Sequence, residues 1–491
     1  MKITTVASQL VLFGLSFPFV VHAQATPPIS NLQFESSDRG LVRAFQWAKG
    51  QALEYAHGGT DPVGPWYDAA LPGRDSFCMR DVSHQATGAE ALGLYAQNRN
   101  MLERFAAAVS PARDWAGYWE IDKLGRPSAA DYVSDSDFWY NLPANFDLID
   151  SIFHMWHWSG DDGYVNDPLF QRFFKSTATS YLTAWQLQPE SILKRPRLMN
   201  QRLSQGKFVK SRGIPSYTEG EVNFNVGVDL LASEYRAFES LRTLATRNHE
   251  MRLAQQYSKT AGELSNIIEH KAWSEKNRHF MGFFSQDGGT HGTGDAMVLY
   301  FGATKDMGHI HSALTYIESA EYLKSIGIEE ESYLAQIFYR YGESAAAYDR
   351  IMDLTRPDKY RHEYPEVSYS VISAIVTGTM GIEVVDNGIS RRPFLYSISQ
   401  LPRESDRAIL RGLRIQENLV DLEHVGVRRS ALTNRSGKTI FWQAAFHGRI
   451  PILTVNGKPV RANISLDAKR LPVSWIVTGV PAGATVSVNQ P

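Results

Sequence analysis

The sequence predicts a mainly helical protein, an (α/α)6 barrel in which roughly twelve helices pair into hairpins around a ring, followed by a small antiparallel β-sandwich. Two patterns along the chain predict this fold. From about Ser36 to Gly381, apolar residues recur at helical spacing, in stretches separated by Gly, Pro, Asp and Asn. After Gly381 the segments become short and rich in Val, Ile and Thr, with turn signals such as Asn456-Gly457 between them.

Outer and inner helices are expected to alternate around the ring, with every second stretch inner. The inner helices of such a ring start at the same end, so the segments that precede them converge on one funnel, where ligand sites lie. The helical stretches are expected near residues 38–57, 81–97, 99–112, 138–159, 166–187, 224–246, 249–273, 295–302, 305–323, 329–341, 343–353 and 366–381. The convergent segments are then Leu71–Asp81, Asp131–Asn145, Tyr217–Asn225, Asp287–Asp295, Ser319–Ser332 and Tyr360–Tyr369.

The predicted domains are a helical catalytic domain over residues 30–390 and a β-sandwich over residues 391–491. A sandwich is expected because the C-terminal segments are strand-like, short and evenly interrupted by turns. The expected strands include Gln416–Val425, Arg428–Thr433, Thr439–Ala444, Ile450–Val455 and Ser474–Thr478.

The N-terminal residues 1–23 have the pattern of a secretory signal peptide. Lys2 supplies a positive charge, Leu10–Val21 is an apolar run, and Val21-His22-Ala23 offers small residues at a cleavage spacing. Cleavage is expected after Ala23. We therefore expect the mature chain to be secreted or periplasmic, without a membrane anchor.

Composition excludes several classes of function. Lys and Arg number 50 against 52 Asp and Glu, and the formal net charge of −2 gives no expectation of nucleic-acid binding. Cys78 is the single cysteine, which excludes an internal disulfide and a multi-cysteine zinc site. No cofactor or metal is expected. The eleven Trp and twenty-two Tyr suit either a large core or stacking against sugar rings.

The densest polar block precedes the second helix. Arg74-Asp75 and Arg80-Asp81 stand among apolar residues, so they are expected to form ion pairs or to hold a ligand. Asp81 also suits the N-terminus of a helix. Trp66 and His84 flank this block as further candidate ligand contacts.

A second polar and aromatic block opens the fourth helical stretch. Asp137, Trp139, Tyr140 and Asn141 occur where packing alone would favour Leu or Ala, so they are candidates for a ligand pocket. His154 and His157 are one turn apart but lack an acidic third ligand at zinc-site spacing, and we interpret them as structural.

Two pairs of carboxylates are the candidates for acid–base catalysis. Glu219 and Glu221 precede the sixth helix, and Glu363 and Glu366 precede the last. On a closed ring these segments face one funnel. Hydrolysis of a glycosidic bond needs one carboxylic acid for the leaving oxygen and one carboxylate to activate water or attack carbon.

These motifs together resemble the six-hairpin glycosidase superfamily, which includes glucoamylase-like, α-L-rhamnosidase-like, trehalase-like and exo-α-mannosidase-like enzymes. The resemblance rests on Met79-Arg80-Asp81, Glu219-Gly220-Glu221, the segment Tyr364–Tyr369 and the C-terminal sandwich. The chain departs from many relatives in lacking an N-terminal β-sandwich.

The resemblance implies an exo-acting, inverting glycoside hydrolase with a carbohydrate substrate. It implies that Arg80 and Asp81 clamp the terminal sugar. The general acid would be Glu221, with Glu219 as the alternative. The base would be Glu366, with Glu363 as the alternative.

Two other functions remain open at the level of sequence. A polysaccharide lyase on a similar helical toroid needs a Tyr or His base and residues that neutralise a uronate. The candidates for that set are His84, Arg80, Tyr140, Asn141 and Asn145. The second alternative is a glycan-binding protein without catalytic activity.

Overall fold

The computed structural model describes residues 30–195, 214–218, 224–385 and 394–491. The predicted signal peptide and both Glu219 and Glu221 lie outside the described residues. In the described ranges, no helix has the length and apolarity needed to cross a membrane.

Helices of the described residues follow the predicted stretches closely. They are α1 Arg39–Glu54, α2 Met79–Ala91, α3 Tyr95–Ala108, α4 Ala144–Ser159, α5 Pro168–Ser176, α6 Val228–Arg247, α7 Met251–Ile267, α8 Asp295–Tyr300, α9 Met307–Glu318, α10 Ile328–Arg340, α11 Ser344–Leu354 and α12 Pro365–Ser373. Shorter helical pieces are Pro111–Arg113, Gly163–Asn166, Thr177–Tyr181, Leu182–Trp185, Ile192–Lys194, Ile268–Ala272, Ala320–Ser325 and Ala374–Thr379.

The even-numbered helices close into a ring. Helix α2 packs against α4, and the contacts continue through α6, α8, α10 and α12 back to α2. Every residue of α12 is buried, whereas the outer helix α7 buries only Ala254, Ala261 and Leu264. Gly88 shows how tight the ring is, since a Cβ there would overlap the backbone carbonyl of Tyr369 in α12. The alternation of outer and inner helices expected from the sequence is therefore present.

Strands after the ring form two packed sheets. They are β2 Glu383–Val385, β3 Phe394–Ile398, β4 Arg407–Ile415, β5 Asn418–Val425, β6 Arg429–Ser436, β7 Ile440–His447, β8 Ile452–Val455, β9 Lys458–Arg461, β10 Asn463–Leu466, β11 Pro472–Val480 and β12 Thr485–Asn489, joined by β1 Gln33–Ser36 from the N-terminal side. One sheet has the order β1-β4-β5-β6-β12-β8-β9 and the other β2-β3-β7-β11-β10.

The sandwich differs from the prediction in two respects. Strands β3 and β7 pair in parallel, because three strands of the other sheet separate them in the chain and no hairpin sets their direction. Strands β1 and β2 both fall before residue 391, so the sandwich takes two strands from the stretch assigned to the ring. Short strand pieces within the ring loops are Ala56–Gly58, Pro65–Tyr67, Ser76–Cys78, Glu120–Asp122, Tyr132–Ser134, Asp137–Phe138, Phe224–Gly227, Trp273–Ser274, His279–Phe280, Phe283–Ser285 and Thr290–His291.

Hydrogen bonds join the ring to the sandwich. The Trp158 indole donates to the Arg414 carbonyl at 3.1 Å, and the Gln416 amide donates to the Trp158 carbonyl at 2.8 Å. His424 of β5 lies 3.1 Å from the Met380 carbonyl, just beyond α12. Buried polar groups at this interface are thus bonded to the other domain.

Candidate active site

The inner helices share a feature at their N-terminal ends. In the described residues none of the six has a side-chain N-cap, yet each carries an acidic residue in its first turn. Backbone N–H groups and the helix dipole favour carboxylates there. The acidic residues are Asp81, Asp147, Asp229, Asp295, Glu329, Glu330, Glu331 and Glu366.

Glu366 lies in the buried first turn of α12. Its side chain is fully buried, and Oε1 accepts a hydrogen bond from the Tyr333 hydroxyl. Oε2 has no hydrogen-bond partner among the described residues. Burial raises the pKa of Glu366 well above its ordinary value, and the charges of Asp81 and Glu329 raise it further. The Arg80 charge and the Tyr333 hydrogen bond act in the opposite direction.

Arg80 lies at the centre of the charged groups. Its Nε is 3.5 Å from Asp81 Oδ1, and its Nη2 is 3.2 Å from Glu329 Oε2. The rings of Trp119 and Tyr217 lie 5.4 and 5.1 Å from the guanidinium carbon, at cation–π distance. These contacts hold the guanidinium in one orientation beside the buried carboxyl groups.

A hydrogen-bonded chain of buried and partly buried residues supports Tyr217. Its hydroxyl donates to Asp147 Oδ1 at 2.7 Å and lies 3.3 Å from His84 Nε2. His84 Nδ1 is 3.0 Å from the Tyr300 hydroxyl. Burial lowers the pKa of His84 to about 3, so the imidazole is neutral and carries one proton. Because Tyr217 uses its proton on Asp147, Nε2–H donates to Tyr217 and Nδ1 accepts from Tyr300.

Asp229 holds the backbone that leads toward Glu219. Its Oδ2 accepts from the Ser216 hydroxyl at 2.6 Å and from the Tyr217 amide at 2.8 Å, and Oδ1 accepts from the Leu230 amide at 2.6 Å. Burial raises the pKa of Asp229 to about 6. Asp229 therefore fixes the backbone of Ser216 and Tyr217 next to Arg80.

The two late glutamates have different environments. Glu366 lies in the buried first turn of α12, whereas the Glu363 side chain is exposed. The backbone carbonyl of Glu363 accepts a hydrogen bond from Tyr55 at the end of the outer helix α1. Pro365 begins the helix and separates the two positions. Of these two residues, only Glu366 lies in the cluster of charged residues formed with Arg80, Asp81 and Glu329, which we call the Arg80 cluster.

Three aromatic and amide candidates belong to the core, in contrast to the sequence-based expectation. Trp66 is fully buried and its indole donates to Asp61 at 2.7 Å. Tyr140 is fully buried and its hydroxyl donates to Asn145 Oδ1 at 2.5 Å. Asn141 is also fully buried, and its amide donates to the Ser216 carbonyl at 2.7 Å. These three donor groups hold loops together, whereas Asn141 Oδ1 has no hydrogen-bond partner among the described residues.

Of the remaining candidates, Trp139 lies next to a residue that contacts Arg80. Trp139 is buried and packs edge-on against Trp119 at 4.6 Å, so it supports the ring that faces Arg80. Asp137 is half-buried in the short strand Asp137–Phe138. The expected Arg74–Asp75 pair is replaced by two pairs with other partners, Arg74–Glu120 at 2.7 Å and Lys123–Asp75 at 2.6 Å.

Several residues of the cluster were missed from the sequence. The signal that could have found Asp147 and Glu329 is an acidic residue in the first turn of an inner helix. Tyr217 lies at the start of a predicted convergent segment, and Glu329 lies within another. Trp119, Tyr300 and Tyr333 carry no comparable local signal.

Comparisons with known proteins bear on the fold. No protein-family model matches the chain, and no curated protein matches it. Among solved structures, an α-L-rhamnosidase from Dictyoglumus thermophilum superposes with a TM-score of 0.59 at 13% identity over 94% of this chain and 51% of its own. The chain therefore shares its fold with this α-L-rhamnosidase. The resemblance predicted from the sequence is confirmed as a likeness of fold.

Two further structures extend this comparison. A sialidase gives a TM-score of 0.56 at 11% identity, over 90% of this chain and 41% of its own. An α-L-rhamnosidase from Aspergillus terreus gives 0.51 at 12% identity, over 92% and 50%. The chain thus spans about half the length of these structures or less.

Proposed function

We propose that the protein is an exo-acting, inverting glycoside hydrolase that removes a terminal sugar from an oligo- or polysaccharide. The observation that carries the proposal is Glu366, a fully buried carboxyl group beside Arg80 and Asp81 with one oxygen unengaged among the described residues. The similar structures are those of two rhamnosidases and a sialidase, which supports hydrolysis of glycosides. The ring of six inner helices supports an (α/α)6 barrel as the scaffold.

The proposed roles follow the resemblance. Glu366 is the base that activates water, and Glu221 is the acid, with Glu219 as the alternative. Arg80 donates hydrogen bonds to sugar hydroxyls and Asp81 accepts them. A base must be ionised to act. The raised pKa of Glu366 therefore moves the pH range of activity upward. The Arg80 charge and the Tyr333 hydroxyl stabilise the ionised form that this role requires.

The lyase alternative is less well supported. It needs a base and a neutralising set drawn from Tyr140, Asn141 and Asn145 beside His84. Tyr140 bonds to Asn145, and both amide side chains donate to backbone carbonyls within the core. Burial raises the pKa of Tyr140, which opposes its use as a base.

The chain is also proposed to be exported after cleavage behind Ala23, as residues 1–23 predict. N-terminal sequencing of the protein recovered from the medium or the periplasm tests this. A mature N-terminus at Gln24 is the expected result, and recovery of the intact chain in the cytosol contradicts it.

Activity is tested by a screen of aryl glycosides and natural oligosaccharides, with the anomer of the first product followed by NMR. We expect release of one terminal sugar with inverted configuration. Retained configuration contradicts inversion, and an ultraviolet-absorbing unsaturated uronate indicates a lyase. Binding without turnover of any compound supports the glycan-binding alternative.

A further inference from the structure

Glu329 is the most exposed of the three charged residues Arg80, Asp81 and Glu329. It lies in the first turn of α10, and its side chain is 36% exposed, whereas that of Arg80 is 9% exposed and that of Asp81 is 5%. Among these three charged groups Glu329 is therefore the one that an entering ligand meets first. It is also 249 residues from Arg80 in sequence, so this contact exists only in the folded ring.

The Arg80 guanidinium is the group to which the carboxylate of an acidic sugar would bind. Uronates are bound in proteins by Arg side chains, because the guanidinium fork matches a carboxylate. Arg80 Nε lies 3.5 Å from Asp81 Oδ1, and Arg80 Nη2 lies 3.2 Å from Glu329 Oε2. One cation therefore already faces two carboxylates. A third carboxylate, from a substrate, would meet repulsion from Glu329 in a partly desolvated site.

A neutral sugar meets no such repulsion. Its hydroxyl groups donate to carboxylates and accept from the guanidinium, so the pair of Arg80 with Glu329 offers both kinds of partner. The carboxylates also act on Glu366, whose pKa both Asp81 and Glu329 raise. An anionic sugar would add a further negative charge next to the proposed base.

We propose, given the proposed function, that Glu329 is a specificity residue that restricts the pocket to uncharged sugars by occupying Arg80. The substrate class is thus a neutral terminal sugar. A uronate is excluded by charge, although its ring has the same size and shape.

Matched sugars test this proposal. Binding of glucose with glucuronate, galactose with galacturonate, and mannose with mannuronate is measured by calorimetry on the full chain, and the corresponding aryl glycosides are assayed for turnover. We expect the pair that binds to favour the neutral member by at least about tenfold. A uronate that binds as well as its neutral partner, or the absence of binding by every sugar, overturns the proposal.

Variants of Glu329 test whether this residue causes the preference for neutral sugars. Glu329→Gln should improve uronate binding by about tenfold and weaken neutral-sugar binding, because the amide is a weaker acceptor for sugar hydroxyls than the carboxylate, while Glu329→Asp keeps the wild-type preference. Glu404→Gln is the control, because Glu404 is exposed on the sandwich and pairs with Arg428. An unchanged preference in Glu329→Gln, with the melting temperature preserved, contradicts the role of Glu329. Absence of turnover with selective binding intact would instead contradict only the proposed hydrolase.

Discussion

Buried polar groups differ in their hydrogen bonding between the mouth of the ring, where the inner helices begin, and the junction of the ring with the sandwich. At the mouth, Glu366 and Asp147 each keep one carboxyl oxygen without a partner among the described residues, and burial raises both pKa values. At the junction, His424 bonds through both ring nitrogens, to Ser430 at 2.8 Å and to Met380 at 3.1 Å. Structural interfaces satisfy their polar groups, whereas sites that bind ligands retain buried polar groups without a protein partner. The comparison supports the proposed site at the mouth and a structural role for the junction.

The largest expected effect separates Glu366 from Glu363. Glu366→Gln should lower kcat by roughly a thousandfold, because a catalytic acid or base contributes about 10²–10⁴. The melting temperature should not fall, since the amide replaces a buried carboxyl group of the same shape. Glu363→Gln, at an exposed position, should change kcat less than about threefold, and equal losses in the two variants would contradict the assignment.

A smaller effect tests the role of Glu366 through pH. The Tyr333 hydrogen bond lowers the pKa of Glu366, so Tyr333→Phe should raise this pKa further. If Glu366 is the base, the acidic limb of the kcat/KM profile moves to higher pH. Movement of the alkaline limb instead would make Glu366 the acid, and an unmoved profile would exclude it from both roles.

A substitution of His424 at the junction should change the free energy of unfolding. The pKa of His424 falls from 6.5 to about 4 on burial, so the unfolded chain binds the proton more tightly. The neutral ring stabilises the fold above pH 6.5, and this contribution is lost as the pH falls toward 4. His424→Gln should cost about 1–3 kcal/mol at pH 7.5 in denaturant unfolding. The difference from wild type should shrink with falling pH, while kcat/KM at pH 7.5 stays within about twofold. A constant difference would contradict this account.

The smallest effect is expected at a partly exposed ion pair of the same junction. Lys469 lies 2.8 Å from Glu343, and both side chains reach solvent. Lys469→Met should change the free energy of unfolding by less than about 1 kcal/mol, because solvent screens such pairs. A larger loss would mean that the sandwich depends on this pair for its docking to the ring.

The site was predicted in part. Arg80, Asp81 and Glu366 were placed correctly at the starts of inner helices, because helical periodicity locates those starts. Trp66, Tyr140 and Asn141 are buried, and the sequence did not reveal this because neighbouring residues on a short strand or turn face opposite directions. Their roles as ligand contacts stay predictions.

The sequence by itself determined the periodic elements and their order, the alternation of outer and inner helices, and the change to strands near Gly381. Those features depend on residues close in the chain. Only the tertiary structure decided that Arg80 contacts Glu329, that Tyr217 joins Asp147 to His84, and that Glu366 is buried while Glu363 is exposed. These contacts join inner helices far apart in sequence, and their energies depend on burial, which no local pattern specifies.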